Sequence, residues 1–140
     1  MKSSKTLARG LPVQLVVSSE ASLFLTMMLR YEPSDPYVVR AEFTVLDSDE
    51  AVEWIIGRDL LADGLKGPAG EGDIQVWPVG DGDPCDMCIL LTPPAGTALL
   101  LAPAREVRAF LREAEELVPR GTEAGHLDLD AWLAQLLRDG

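Results

Sequence analysis

Two cysteines and one histidine are the residues of this sequence best suited to metal or redox chemistry. Cys85 and Cys88 form a single C-x-x-C, and the sole histidine, His126, follows 38 positions after Cys88. A structural zinc site takes four Cys or His ligands, so these residues offer three at most unless a carboxylate joins them. Residues 87–91 have the apolar composition of a buried strand, in which Cys88 serves as a small apolar side chain. We therefore predict no metal site.

Other motifs that support catalysis or phosphate binding are absent from the sequence. There is no G-x-S-x-G motif, and His126 adjoins a polar connection, far from any serine with an activating neighbour. The Gly-rich segment 67–72 leads into a strand, whereas phosphate loops open into a helix. The acidic loop 81–86 lacks the glycine and the final acid of an EF-hand loop. No pair of carboxylates stands out, so we predict no catalytic, cofactor-binding or metal residues and no enzyme.

The charge of the chain argues against nucleic acid as a partner. Twelve Lys and Arg stand against 23 Asp and Glu, which gives a net charge of −11. Three of the basic residues, Lys2, Lys5 and Arg9, fall in the first nine positions, so the rest of the chain carries 9 − 23 = −14. Such a surface repels single-stranded and duplex nucleic acid on average, and we expect no nucleic-acid partner.

The length and composition predict one folded domain over residues 1–140. With 47% hydrophobic and 25% charged residues, the chain is too apolar for a disordered tail and too charged for a membrane bundle. Residues 1–10 are expected to form a flexible basic arm. No segment approaches 18 apolar residues, and no cleavage site follows the first apolar run, so we predict neither a membrane span nor a signal peptide. The cytoplasm is the expected compartment.

Apolar alternation predicts seven strands in two groups, separated by turns rich in Pro, Gly and Asp. Pro78 indicates that the strand containing it lies at an edge of the sheet or ends there. Short turns between successive strands favour an antiparallel meander. The predicted strands cover residues 11–18, 23–31, 37–46 and 51–56 in the first group, and 73–79, 85–92 and 97–102 in the second.

Three helices complete the predicted fold. Asp59 can cap a short helix after Gly57 ends the fourth strand. A second helix begins at Pro103 and carries apolar residues every three or four positions up to Val118. Asp128 can cap a third helix with a wide apolar face. Four strands, a helix, three strands and two helices are typical of an α+β domain with a curved, barrel-like antiparallel sheet.

The strand at 97–102 is unusual because Leu99, Leu100 and Leu101 make both of its faces apolar. A strand with one solvated face normally carries polar side chains on that face. Either the two C-terminal helices cover the second face or another subunit does, and the sequence favours neither. The second alternative predicts a symmetric homo-oligomer.

Several separated blocks of this sequence are typical of one family. They make the chain from Leu11 onward resemble the SsgA-like sporulation and cell division proteins of actinobacteria. The blocks are V-V-S-S-E at 16–20, L-R-Y at 29–31 with D-P-Y at 35–37, E-W-I-I-G-R-D-L-L-A-D-G-L at 53–65, G-E-G-D-I-Q-V-W-P at 70–78, A-L-L-L-A-P-A at 98–104 with F-L at 110–111, and L-D-L-D at 127–130.

The resemblance implies a small, non-enzymatic regulator that helps position or assemble the division septum during sporulation. Its partners would be division proteins such as the tubulin-like GTPase FtsZ or another SsgA-like protein. It also implies a fold similar to the whirly-type single-strand nucleic-acid binders, assembly as a homotrimer, and localisation in the cytoplasm at the division septum. The alternative function is a single-stranded nucleic-acid binding module, which the acidic body disfavours because stacking platforms need a basic groove.

Two departures from the family pattern bear on the partner. The usual Phe-Ala-Arg-Asp is Ile-Gly-Arg-Asp at 56–59, and the glycine can loosen the start of the short helix. The basic pair that often follows Phe-Leu in the long helix is replaced by the mostly acidic segment 112–116. The branch of the family therefore stays open.

Two residues of the block 53–65 are candidates for partner binding. Its leucines and Trp54 have apolar side chains that belong in the core, and Asp59 is the expected helix cap. Arg58 and Asp63 are then the residues expected to remain exposed for contact with a partner.

Overall fold

The computed structural model describes residues 6–45, 48–80, 86–92, 97–126 and 137, and its main feature is a seven-stranded antiparallel sheet. The strands are Leu7–Val16 (β1), Ser22–Tyr31 (β2), Val38–Val45 (β3), Ala51–Gly57 (β4), Ile74–Val79 (β5), Asp86–Leu91 (β6) and Ala98–Pro103 (β7). In space they follow the order β4-β3-β2-β1-β7-β6-β5 and curl into a half-barrel. The predicted α+β class and all seven predicted strands are confirmed.

Strands β1 to β4 form a meander in which each strand pairs with the next one along the chain. Because side chains alternate between the two faces of a strand, each strand contributes one row to the core. In β3, Val39, Ala41 and Phe43 are buried on the concave face, while Arg40 and Glu42 point to the convex face. The alternation read from the sequence therefore gives the correct buried face.

Strand β1 begins at Leu7, four residues earlier than predicted. Strand β2 is ten residues long, so it offers backbone partners up to Tyr31, which pairs with Leu7. Residues 7–10 of the predicted flexible arm therefore belong to the sheet, and that part of the prediction is wrong. Residues 1–5 lie outside the described residues.

Strands β5, β6 and β7 form a second meander. It joins the first where Gln14 and Leu15 of β1 pair with Leu101 and Leu100 of β7. Strands β4 and β5 are consequently the two edges of the half-barrel that the described strands form. The edge position predicted from Pro78 in β5 is confirmed.

Two helices of the described residues pack on this sheet, Arg58–Gly64 (α1) and Ala104–Leu117 (α2). Helix α2 buries the predicted apolar stripe, of which Phe110 is fully buried. Burying one such side chain stabilises the fold by roughly 1.5–3 kcal/mol. Pro103 is the N-cap residue of α2 and not part of its first turn, because it still belongs to β7 and its extended backbone ends that strand.

The third helix predicted from Asp128 lies outside the described residues except for Leu137, which is helical. Within the described ranges, neither helix is long and apolar enough to cross a membrane. In β7, Leu100 is buried, whereas Leu99 and Leu101 on the convex face are half-buried. What covers that face, the C-terminal segment or another subunit, stays a prediction.

Candidate interaction surface on helix α1

Helix α1 follows β4 without a loop, and this junction places the two predicted site residues. The N-cap residue is Gly57, no side chain caps the helix, and the backbone N–H of Arg58 donates to the carbonyl of Tyr37 at 2.8 Å. Asp59 therefore lies in the first turn and is not the cap, contrary to the prediction. Because α1 has 3.6 residues per turn, Arg58 faces the core while Asp59 and Asp63 share the opposite, exposed side.

Arg58 is buried, and the expectation that its side chain is exposed is wrong. Only 3% of the residue is accessible. Its Nη1 donates to the carbonyl of Val118 at 2.7 Å and to the hydroxyl of Tyr31 at 3.0 Å, and its Nη2 lies 3.2 Å from a carboxylate oxygen of Glu123. A buried guanidinium persists only where acceptors and an opposite charge surround it. We call Arg58, Tyr31, Val118 and Glu123 the Arg58 cluster.

Glu123 reaches the Arg58 cluster from a short 3₁₀ helix, Glu123–His126, that follows α2. The positive φ of Gly121 (+94°) lets the chain turn back, and the backbone N–H of Gly121 donates to Glu123 Oε1 at 2.5 Å. Hydrogen bonds from backbone N–H groups, together with the nearby Arg58 guanidinium, lower the pKa of Glu123 from its ordinary value. The carboxylate is thus held in its charged form opposite the arginine.

Tyr31 links the Arg58 cluster to the sheet. Its hydroxyl donates to the carbonyl of Pro36 at 3.0 Å and accepts from Arg58, whose guanidinium carbon lies 5.4 Å from the ring centre. This separation allows a cation–π contact. Burial raises the pKa of Tyr31, with an opposing effect from Arg58, so the phenol stays neutral and donates. The cluster ties β2, α1 and the segment after α2 together, which is a structural function.

Asp63 is exposed, as predicted, and it belongs to a small charged surface. Arg120 lies 2.9 Å from a carboxylate oxygen of Asp59 and 3.8 Å from one of Asp63. The hydrogen bond to Asp59 raises the pKa of Arg120 above its ordinary value. All three side chains are at least two-fifths exposed, so these ion pairs are weak and exchange readily. We call Asp59, Asp63 and Arg120 the α1 surface.

Of the other residues singled out for chemistry, the structure describes Cys88 and His126. Cys88 is buried with a free thiol, and burial raises its pKa, as expected for a small apolar side chain in a strand. Cys85 lies outside the described residues. His126 belongs to the 3₁₀ helix. Among the residues that the structure describes, no three of His, Cys, Asp and Glu come close enough together to hold a metal ion.

Sequence reasoning missed three residues of these two clusters: Tyr31, Glu123 and Arg120. The sequence pattern predicts only a strand at Tyr31 and a polar connection at 121–125. Glu123 lies 65 positions from Arg58, so no helix or strand period links them. The available signal is an acid two positions after Gly121, because a glycine just after a helix indicates a turn in which the chain can fold back.

A comparison with models of known protein families identifies relatives of this chain. A family model described as Streptomyces sporulation and cell division protein, SsgA, matches residues 25–123, which is more than half of the chain. The chain belongs to the SsgA family. The matched region runs from β2 to Glu123 and so contains both α1 and every member of the Arg58 cluster. The resemblance drawn from the sequence blocks is confirmed.

Curated relatives of this SsgA-family chain are sporulation-specific cell division proteins. The SsgB protein of Streptomyces coelicolor is 46% identical over 134 residues, which cover 96% of this chain and 97% of that protein. The SsgB protein of Frankia casuarinae is 44% identical over 130 residues, with 93% and 90% covered. The matches extend over nearly the full length on both sides, and they support a role in sporulation cell division.

Solved structures of the same family confirm the fold. An SsgA-like sporulation-specific cell division protein from Thermobifida fusca superposes with a TM-score of 0.85 at 39% identity, covering 96% of this chain and 98% of that one. A structure from work on SsgB mutations that correlate to longitudinal cell division during sporulation of Streptomyces coelicolor gives a TM-score of 0.83 at 46% identity. It covers 89% of this chain and 97% of that chain.

Proposed function

We propose that this chain is a non-enzymatic adaptor of sporulation-specific cell division, which helps position or assemble the division septum through protein–protein contacts. The observation that carries the proposal is its near full-length similarity to relatives named sporulation-specific cell division proteins. Its partners are the FtsZ ring or another SsgA-like protein, and it acts in the cytoplasm at the septum. The chain works as a homo-oligomer, a trimer by family resemblance.

The charges of the described residues support an adaptor more than an enzyme. Many charged side chains of the described residues form ion pairs, such as Arg9 with Glu106 and Arg40 with Glu53. A catalytic site instead needs a nucleophile or base facing an open cleft. The Arg58 cluster is closed to solvent, and its acceptors are already occupied. We therefore assign the exposed charged side chains to contacts with a protein partner.

The partner-binding residue that we retain is Asp63 on the α1 surface, with Asp59 beside it. Both carboxylates are more exposed than Arg120, so a basic side chain of a partner can reach them and replace Arg120. The exchange substitutes one ion pair for another and costs little in water. Several copies of the surface on one oligomer would make such weak contacts avid toward a polymer. Arg58 supports this surface from beneath without touching the partner.

Nothing described favours the nucleic-acid alternative. Five arginines, namely Arg9, Arg30, Arg40, Arg58 and Arg120, lie within ion-pair distance of carboxylates. Phosphate contacts to these five arginines would have to displace those acids. Binding of a labelled single strand should therefore be absent at physiological salt, and steeply salt-dependent binding would favour the alternative.

The proposal is tested by sedimenting FtsZ polymers with and without the purified chain. The wild-type chain is expected to change the pelleted fraction of FtsZ, directly or in the presence of a sister SsgA-like protein. Asp63→Lys should weaken the effect. Glu116→Lys makes the same change of charge at an exposed position of α2 and should not weaken it. A wild-type chain with no effect in either setting would contradict the adaptor function. Equal losses in both variants would contradict the role of Asp63 alone.

A further inference from the structure

Among the residues that the structure describes, the half-barrel is filled at one end and open at the other. Helix α2 covers the end of the half-barrel at which β7 finishes. Pro103 ends β7 and directly precedes the helix, and Val118, the residue after the helix, accepts a hydrogen bond from Arg58 through its carbonyl. At the opposite end the concave face forms a groove of about 280 Å³, which we call the open groove. Nine of its ten lining residues are apolar, among them Leu25, Phe43 and Trp54.

The mouth of the open groove is apolar and acidic. Val45 and Val52 line it and are 45% and 58% exposed, large values for aliphatic side chains. Glu50 is the charged residue among the described lining, and the exposed Asp49 adjoins Glu50 on the same turn. An apolar surface left open and rimmed by charges of one sign indicates a binding site for a ligand of opposite charge.

Basic side chains of the sheet lie at the far end from the groove. Arg30 pairs in register with Arg40 of β3 and with Ala8 near the start of β1, whereas the groove takes its residues from the end of β1 and the start of β2. Arg58, after β4, is at the same far end as these arginines. Among the described residues of the sheet, the basic side chains are therefore confined to the far end, and the charged residues described at the open groove are acids.

The groove adjoins an edge strand, and this decides the shape of the occupant. Strand β4, which supplies Val52 and Trp54 to the groove, pairs on one side with β3 and on its other side with no strand among the described residues. An extended segment can add to such an edge and send alternate side chains to one face. The volume is below the roughly 300–1,000 Å³ of small-molecule pockets and suits a few aliphatic side chains.

We propose that the open groove binds an extended, cationic segment of a protein partner, with apolar side chains in the groove alternating with Lys or Arg facing Asp49 and Glu50. This inference rests on the proposed adaptor function, because it gives that function a second contact surface and states the chemistry of its partner. A twofold-related second copy would bring the same acids face to face, whereas a copy bound head to tail, as in a trimer, is an outcome that the oligomer measurement below detects. An anionic membrane is repelled by the same rim.

The test uses a short fluorescein-labelled peptide of alternating leucine and lysine, with leucine–glutamate and leucine–serine peptides for comparison. Fluorescence anisotropy measures binding to the full chain, and amide NMR shifts locate it. The leucine–lysine peptide should bind and shift the amide resonances of residues 50–54. Its affinity should fall as the salt concentration rises. Equal binding of either comparison peptide would overturn the charge preference.

Two matched variants on β4 test whether peptide binding depends on the face of the strand that lines the groove. Val52→Gln removes an apolar lining residue and should weaken peptide binding about tenfold or more. Ile55→Gln alters a side chain of similar exposure on the opposite face of β4 and should leave binding within about twofold. Both positions are more than half exposed, so both variants are expected to fold, which circular dichroism checks.

Three results would overturn the proposal. The first is shifts confined to amides outside the groove, and the second is equal losses in the two variants. The third is a smaller oligomer for Val52→Gln in light scattering, because the occupant would then be a second copy of this chain. Failure of these peptide experiments leaves the FtsZ sedimentation result unaffected, so the failure of this inference is distinguishable from the failure of the adaptor function.

Discussion

Replacing Arg58 with methionine tests the buried cluster that positions α1. Methionine keeps a long unbranched side chain but removes the charge and the donors. The carbonyl of Val118 and the hydroxyl of Tyr31 each lose a hydrogen bond from a cation, and the Glu123 carboxylate loses its opposite charge. The change leaves buried acceptors without partners, which is the costly case.

The size of the effect follows from these contacts. Hydrogen bonds to charged groups contribute about 1.5–3 kcal/mol each, and removing one member of a buried ion pair costs about 3–5 kcal/mol. We expect Arg58→Met to lower the free energy of unfolding by about 3–5 kcal/mol. A domain of this kind has about 5–15 kcal/mol in total, so the variant should still fold at low temperature. Its melting temperature should fall by roughly 10–20 °C.

The assay is urea unfolding followed by far-ultraviolet circular dichroism, with Arg120→Met as the matched control. Arg120 is also paired with acids, but its side chain is 42% exposed, so its loss should cost under about 1 kcal/mol. Adding Glu123→Gln to Arg58→Met should restore part of the stability, because it neutralises the stranded carboxylate. If Arg58→Met costs no more than Arg120→Met, the buried cluster does not hold α1 and the reasoning fails.

Three further predictions follow from other contacts. Gly64→Ala should lose about 1–3 kcal/mol in thermal unfolding, because the new Cβ would overlap Val76 Cγ2 and lie 2.8 Å from Val76 Cβ. Gly57→Ala is the control, because the φ of Gly57 is −59° and the nearest atom to a new Cβ there is 3.6 Å away. This variant should be neutral or stabilise the fold by up to about 1 kcal/mol. Equal losses in the two variants would refute the predicted clash at Gly64. Because the folded-state pKa of Glu123 is lowered, its contribution is present above the ordinary value of 4.5 and is lost as the pH falls through the folded value. Stability measured across that range should therefore decline less in Glu123→Gln than in the wild type. Burial and a raised pKa should make the Cys88 thiol react with iodoacetamide far more slowly in native protein than in urea, as peptide mass spectrometry would show, and equal rates would contradict its burial.

Local sequence patterns were enough to predict the sheet. Alternation in residues 37–46 gave β3 and its buried face because both depend on neighbouring residues. The start of β1 was placed too late because the stretch around Gly10 is not apolar, and its pairing is set by the length of β2 on the other side of the hairpin. Strand ends depend on the partner strand, which a local pattern does not contain.

The candidate site was predicted only in part for a similar reason. The exposure of Asp63 followed from its position on a short amphipathic helix. Arg58 was expected beside it at the surface because an isolated arginine is rarely buried. The residue that permits its burial, Glu123, lies 65 positions away and meets it only through the fold of the segment after α2. The open groove likewise arises from the curl of the sheet and has no sequence motif of its own.

The adaptor function is tested most directly by the position of this chain in dividing cells. A fluorescent fusion of the full chain, expressed in sporulating hyphae of Streptomyces coelicolor, is expected to form regular transverse bands where septa are laid down. An Asp63→Lys fusion at the same expression level should form weaker bands than Glu116→Lys. Uniform fluorescence along the hyphae, or fluorescence that follows the nucleoids, would contradict the account.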